Sequence, residues 1–394
     1  MIKKDLLLEK MYLIGIILYI GYYFLYLTYY WHIVTEPKQV FNLQLLFYLS
    51  LPCFIVKLIF TKYQWQEIIF MFFIFSVMFV CWRQSGGIDY PINCLIVFGM
   101  KNMDLRKILK TILFTALCAF GYGLTWTFLN APDTIAVVKD FGRGVVETRY
   151  RFCISNSNAL QLLSLGILLC FLYVYYKKGK WWIFAILFFF YCELFQLTKS
   201  RTCFICGVIA IIAFLFLRYY EKIFHLKLVL ILFELFNIAL MFGMMYLVFF
   251  ADKASVIYTK VNMLITQRLT VAERCIQEGG IHLFGSNIGG KVCGYGIYTQ
   301  PVPGYVTELG VVRTFLEYGY IVFILFVVSI LLALWILHRK QNYAAMIMLT
   351  VALCAFSFEA YFPAAYNMKA FILGYALFQM SKCFIKDNKR TKNE

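Results

Sequence analysis

Arginines, glycines and one glutamate stand together in the one long polar interruption of an otherwise apolar chain. The interruption covers residues 251–308 and contains Arg268, Arg274 and Glu308. Guanidinium groups suit phosphate ligands, because their planar fork donates two hydrogen bonds and they stay charged. A carboxylate beside them is a candidate base for a hydroxyl group. This segment therefore predicts a site for an anionic, phosphate-bearing ligand.

A second polar segment, residues 130–157, is also basic. The cations of this segment are Lys139, Arg143, Arg149 and Arg151, and Asn158 follows the segment directly. A short third element with two cations, Lys199-Ser200-Arg201, opens the eighth predicted span. Two interpretations stay open for these cations. They form a solvated surface in contact with phospholipid headgroups, or they form two arginine-bearing arms that close over a diphosphate.

The glycines of the 251–308 segment allow the backbone to approach a ligand closely. Gly285 is the one that we expect to contact substrate. The glycine pattern is no phosphate-binding P-loop, since the spacing and the following Lys-Ser/Thr are absent. By itself the pattern indicates a flexible turn.

Glu308 opens a stretch whose apolar residues follow helical spacing. We expect a helix over residues 308–319 at the membrane interface, because the span that follows is already long enough to cross a bilayer. Three roles stay open for Glu308: a catalytic base, a counter-ion for the arginines, or a charge at a helix N-terminus. Arg313 is a candidate substrate ligand, but its spacing from Glu317 also fits an ion pair within the helix.

Other reactive side chains carry weaker signals. Glu193 and Glu359 lie near the same predicted side of the membrane, where one cavity could hold both. His282, a lone histidine in a loop, is expected to be incidental. Cys203 and Cys206 form a C-x-x-C pattern inside a predicted membrane helix, which favours packing over redox or metal chemistry.

The composition excludes a soluble globular chain. The mean hydropathy is +0.76, and 62% of residues are hydrophobic while only 14% are charged. An all-α polytopic membrane protein is predicted, as a single integral membrane domain over residues 1–394 with no soluble domain. Its twelve predicted spans are 11–31, 41–60, 67–82, 86–100, 108–129, 157–176, 181–198, 202–218, 228–250, 309–337, 343–361 and 366–384. Glycines, an aspartate and a proline interrupt the fourth, which is therefore a candidate re-entrant or broken helix.

Lysines and arginines in the short loops predict the orientation of these spans. With twelve spans, the strong clusters fall on one side, so both termini are expected in the cytoplasm. The segments 130–157 and 251–308 are then extracytoplasmic. The formal charge of +17 is mostly a topology signal and favours contact with anionic membrane lipids. No basic soluble module exists, which argues against a nucleic-acid partner, and no cleavable signal peptide is expected.

Three segments together resemble the Wzy-type polysaccharide polymerases of the O-antigen polymerase/ligase superfamily. They are Arg149 to Asn158, Leu197 to Arg201, and the series Arg268, Arg274, Gly285, Glu308 and Tyr318-Gly319. Their order and their predicted outer-side placement resemble the family pattern. Glu308 departs from it, since the family usually has an aspartate there.

The resemblance implies a GT-C-like glycosyltransferase of the bacterial cytoplasmic membrane, with no metal or other cofactor. It would transfer a growing glycan from undecaprenyl diphosphate to a repeat unit on a second undecaprenyl diphosphate. It further implies that Arg149, Arg268 and Arg274 bind the diphosphate, assisted by Arg151 and Arg201, and that Glu308 is the base. A flippase and a chain-length regulator are candidate partners. A ligase of the same superfamily and an exporter of lipid-linked glycans stay as alternatives.

Overall fold

The computed structural model describes residues 2–29, 37–86, 89–140, 146–154, 156–287, 292–294, 301–303, 307–359 and 368–390. Within these ranges the chain is almost entirely helical. The helices are α1 (Ile2–Tyr29), α2 (Pro37–Phe60), α3 (Trp65–Ser85), α4 (Asp89–Gly99), α5 (Leu105–Asn130), α6 (Ser157–Tyr175), α7 (Trp181–Thr198), α8 (Arg201–Tyr219), α9 (Lys227–Phe249), α10 (Val256–Leu264), α11 (Arg268–Gly279), α12 (Gly310–Arg339), α13 (Tyr343–Phe358) and α14 (Met368–Arg390). Two short hairpins accompany them: β1 (Ala136–Asp140) with β2 (Val146–Tyr150), and β3 (Val292–Gly294) with β4 (Pro301–Pro303).

Eight of the described helices are long and apolar enough to cross a membrane: α1, α3, α5, α6, α7, α8, α9 and α12. Shorter apolar segments lie in α2, α13 and α14. The outer surfaces of these helices are apolar. Phe72 on α3 is 74% exposed and Phe189 on α7 is 67% exposed. Such surfaces are favourable against lipid tails and unfavourable in water. The predicted all-helical membrane protein is thus confirmed at this level, while the twelve-span count and the GT-C arrangement stay predictions.

Helix α4 covers the interrupted fourth span and is shorter than the others. Its 11 residues rise about 17 Å, roughly half of a hydrocarbon core. It therefore does not cross a bilayer by itself, which favours the re-entrant or broken alternative.

Helix α12 breaks at Gly319, where the backbone leaves helical geometry with φ 81° and ψ 172°. The first part runs from Gly310 and the second part continues to Arg339. The helix expected over residues 308–319 is thus confirmed from Gly310 to the break, with Glu308 just outside it, and its place at the membrane interface stays a prediction. Glycine suits the break, because a side chain at this φ is strained.

Polar caps fix where several helices begin. Asn156 accepts a hydrogen bond from the Ala159 amide and caps α6, and Asn342 caps α13 in the same way. Such caps satisfy amides that the first turn leaves without helical partners.

The two polar segments contain regular structure that the sequence analysis did not predict. Residues 130–157 hold the antiparallel β1–β2 hairpin, in which Arg149 pairs with Val137. Residues 251–308 hold α10, α11 and the β3–β4 hairpin. Both segments join the end of the helix bundle where α8 and α12 begin and where α7 and α13 end. We call this the loop-bearing end.

Candidate functional site

Arg268 is the first residue of α11 and is only 7% exposed. Two residues with positive φ, Thr266 and Gln267, turn the chain sharply from α10 into α11. The Asn262 side chain fixes this turn, because it accepts from the Leu269 amide at 3.1 Å and donates to the Thr270 hydroxyl at 2.7 Å. The guanidinium is therefore held by a rigid, hydrogen-bonded corner.

Arg268 joins two carboxylates that are distant in sequence. Its Nε lies 2.7 Å from Oε2 of Glu308, and its Nη2 lies 2.8 Å from Oε1 of Glu359. Its Nη1 donates to the carbonyl oxygen of Phe358. We call Arg268, Glu308 and Glu359 the Arg268 cluster.

Close packing of α12 on α13 brings the two glutamates together. Glu308 lies two residues before α12, and Glu359 is the C-cap of α13. Between them, Gly310 packs so tightly that a Cβ added there would lie 2.3 Å from the Phe356 carbonyl oxygen. The Arg268 cation also lies at the carbonyl end of α13, where the helix dipole favours positive charge.

The surroundings of Glu359 shift the pKa of its carboxyl upward. Burial raises the pKa of Glu359; the attraction of Arg268 opposes this shift and the neighbouring Glu308 charge adds to it. With both carboxylates ionised the cluster carries a formal charge of −1, whereas a protonated Glu359 leaves it neutral. In neither state does Arg268 supply uncompensated positive charge to an incoming diphosphate. Its geometry suits holding and orienting Glu308.

Three of the other candidate arginines also have partners within the protein. Arg149 is 5% exposed and donates to Glu147 from Nε at 3.0 Å and from Nη2 at 2.8 Å. Arg151 donates to the Thr134 carbonyl at 2.7 Å. The ion pair that the spacing of Arg313 and Glu317 allows within α12 is present, with Arg313 Nε 2.9 Å from Glu317 Oε1.

Arg274 and Arg201 differ from these three. Neither forms an ion pair with any residue that the structure describes. Arg274 is half-buried on α11, and Arg201 is exposed at the start of α8. Since helical residues turn by about 100° each, Arg274 lies about 120° around α11 from Arg268. The structure therefore does not add Arg274 to the Arg268 cluster.

Gly285 lies against the break in α12. At its φ of 80°, an added Cβ would lie 2.0 Å from the Glu317 carbonyl oxygen. The adjoining Ser286 amide donates to the Leu316 carbonyl at 3.2 Å. A Cβ on Gly319 would meet the Leu283 carbonyl at 2.3 Å. The backbone of Gly285 thus makes its close approach to the break in α12 of the same chain.

Backbone amides of α12 complete this contact. The Tyr320 and Ile321 amides donate to the carbonyls of His282 and Leu283, each at 3.4 Å. These amides begin the second part of α12 and lack partners within it. The segment therefore closes the break and fixes the start of the long helix.

The three segments that carry the family resemblance meet at the loop-bearing end. The Thr198 hydroxyl, at the end of α7, lies 2.7 Å from Oε1 of Gln161 in the first part of α6. Helix α8 packs against α13, whose C-cap residue Glu359 binds Arg268. Asn158 is half-buried in the first turn of α6, next to the Asn156 cap.

The sequence marks Glu359 as a carboxylate near a helix end but does not indicate its pairing with Arg268. Its partner in the shared cavity was expected to be Glu193, which instead is exposed on α7. His282 bonds the Gly279 carbonyl at 2.9 Å, in keeping with an incidental role. Cys203 and Cys206 are buried free cysteines, which confirms packing.

Comparisons of this chain with protein-family models, with curated proteins and with solved structures found no match.

Proposed function

We propose that this protein is a membrane glycosyltransferase that lengthens glycans carried on undecaprenyl diphosphate. One observation carries the proposal: a carboxylate, Glu308, is held by a buried arginine at the end of the bundle where the arginine-bearing segments lie. A carboxylate fixed beside a large polar segment and above lipid-facing helices fits chemistry on a substrate with a polar head and a lipid tail.

In the proposed reaction Glu308 accepts the proton of the acceptor hydroxyl. The acceptor oxygen forms a bond to the anomeric carbon of the donor glycan. The bond between that carbon and the diphosphate oxygen breaks, and the electron pair leaves with undecaprenyl diphosphate. Arg268 orients Glu308 through the 2.7 Å contact, so it acts as a positioning residue.

The leaving diphosphate gains negative charge as its bond to the glycan breaks. Arg201 and Arg274 suit its stabilisation, because each has a guanidinium with no ion pair inside the described ranges. Each donor placed on the developing charge is worth about 3 kcal/mol of transition-state stabilisation. Arg149 and Arg313 are already paired with glutamates, so they suit the shaping of the loop-bearing end.

The test uses the purified full-length chain with lipid-linked repeat units from the cells that make this protein. We expect the wild type to join units into longer glycans and to release undecaprenyl diphosphate. Transfer of a finished glycan to a different acceptor would identify a ligase instead. If no glycosyl bond forms with either acceptor and cells without the gene make glycans of normal length, the proposal is wrong.

Helix α8 offers a matched pair of variants. Arg201 is exposed at its first residue and Arg218 is exposed in its last turn, so the two arginines lie at opposite ends of one helix. Arg201→Ala should reduce turnover by about two orders of magnitude if it stabilises the leaving diphosphate. Arg218→Ala should leave turnover unchanged. Equal effects of both changes would remove Arg201 from the proposed site.

A further inference from the structure

A large apolar cavity lies between α1, α3, α4, α12 and α14, and its wall reaches Gly310 and Phe356 beside the Arg268 cluster. Its volume is about 460 Å³. Most of its wall is aliphatic and aromatic, including Tyr19, Phe70, Leu325 and Leu373. Such a wall suits a hydrocarbon chain.

One cation faces this cavity without a counter-charge. Lys369, the second residue of α14, lines the cavity and is 7% exposed. Its Nζ lies over the rings of Phe356 and Phe326, 3.1 Å and 5.3 Å from their centroids. No described carboxylate or hydrogen-bond acceptor pairs with it. A buried ammonium is costly unless an anion or hydrogen bonds compensate it, and aromatic faces compensate only part of that cost.

The other charges on the cavity wall cancel. Arg313 and Glu317 both line the cavity and pair with each other at 2.9 Å. Among the described residues of the wall, Lys369 is therefore the one cation without a counter-charge. One such charge complements a single phosphodiester better than a diphosphate, which carries at least two negative charges.

The depth of the cavity matches one leaflet of a membrane. Its wall on α14 runs from Lys369 to Met380, a rise of about 16 Å. Its wall on the second part of α12 runs from Val322 to Ile336, a rise of about 21 Å. Half of a hydrocarbon core is about 15 Å. An acyl chain that starts beside Lys369 fills this depth.

We propose that the cavity binds an anionic glycerophospholipid, with an acyl chain between α12 and α14 and its phosphate paired with Lys369. The observation behind the proposal is a nine-tenths buried, uncompensated lysine at the end of a leaflet-deep apolar cavity. The cavity borders the Arg268 cluster through Gly310 and Phe356, but the proposal does not depend on the proposed glycosyl transfer.

The test is native mass spectrometry of the full-length chain in detergent, with phosphatidylglycerol added stepwise to delipidated protein. We expect one tightly bound phosphatidylglycerol. Lys369→Met should weaken its binding about 10- to 100-fold, the value of one charge-assisted bond to phosphate. Lys369→Arg should retain most of the binding. Lys178→Met, which removes an exposed lysine in the loop after α6, should leave it unchanged.

A second variant tests the acyl-chain site without changing the lysine. Ser329 is an exposed residue of α12 that lines the cavity, so Ser329→Phe should fill the cavity and weaken phosphatidylglycerol binding with little effect on folding. Equal binding by wild type, Lys369→Met and Ser329→Phe would overturn the proposal. Equal binding of phosphatidylcholine would overturn the charge selection, and tighter binding of undecaprenyl diphosphate at the same site would overturn the assigned occupant.

Discussion

The Nε of Arg268 lies 2.7 Å from a carboxylate oxygen of Glu308, forty residues further along the chain. This contact ties the start of α11 to the start of α12. Because Arg268 also binds Glu359, one guanidinium fixes both carboxylates and the end of α13. A fork with several donors can do this, whereas a single ammonium cannot reach both partners in the same geometry.

Replacing Arg268 tests that fork. Arg268→Ala leaves two carboxylates without their cation, and we expect a loss of about 3–5 kcal/mol in the free energy of unfolding. Arg268→Lys keeps the charge, but its ammonium can pair with only one of the two carboxylates. We therefore expect a smaller loss in the free energy of unfolding, about 1–3 kcal/mol. Thermal unfolding in detergent measures both. In cells, single repeat units should accumulate in both variants, and normal-length glycan in both would contradict the positioning role.

Glu308→Gln separates a base from a counter-ion. If Glu308 is the base, its loss should slow glycosyl transfer by about 10²–10⁴-fold while donor binding is retained. If Glu308 is only a counter-ion, its loss should instead weaken folding or donor binding and leave the rate of the chemical step unchanged. The matched variant is Glu359→Gln, which changes the other carboxylate on the same arginine. Wild-type turnover by Glu308→Gln would remove this residue from the mechanism.

The positions of many helices can be predicted from the sequence. The predicted span 181–198 coincides with α7, and the predicted span 157–176 differs from α6 by one residue at its end. Long apolar runs, bounded by lysines, asparagines and glycines, account for this agreement, because local composition decides where such helices begin and end. The short helix before the Gly319 break was predicted for the same reason.

The pairing of Arg268 with Glu359 could not be predicted in that way. The two residues are 91 positions apart, and no local pattern shows that α11 and α13 meet end to end. The β1–β2 hairpin was also missed, since a short basic segment gives little alternation to detect. For Lys369 the available signal was a lone lysine at the start of an apolar helix, but its burial follows from the packing of α12 and α13.

Gly285 and Gly319 should both resist substitution, because both have positive φ and a Cβ at either would lie less than 2.5 Å from backbone atoms of the other segment. We expect Gly285→Ala and Gly319→Ala each to lower the free energy of unfolding by at least about 2 kcal/mol. The control is Gly243→Ala in α9, where an added Cβ meets nothing within 4 Å. That change should be neutral or stabilising by up to about 1 kcal/mol. Equal melting temperatures for all three variants would contradict the proposed contact.

The sidedness of the loop-bearing end is testable by labelling with a membrane-impermeant thiol reagent in a cysteine-free background. Gln277 is exposed on α11 and Lys178 is exposed in the loop after α6. The lysine and arginine distribution predicts that these positions lie on opposite sides. Gln277→Cys should react in intact cells, and Lys178→Cys only after lysis. The reverse pattern would place the Arg268 cluster in the cytoplasm and exclude transfer at the outer leaflet.

The pH dependence of stability should report on Glu359. Burial raises the pKa of this carboxyl in the folded protein above its ordinary value of 4.5. The folded state therefore holds the proton more tightly than the unfolded state does. The stabilising contribution is fully present below about pH 4.5 and is lost as the pH rises through the higher folded-state pKa.

Glu359→Gln imitates the protonated form and should lose this dependence. Melting temperatures measured in detergent from pH 4 upward should fall for the wild type relative to the variant. Parallel curves would show that Glu359 does not carry a raised pKa.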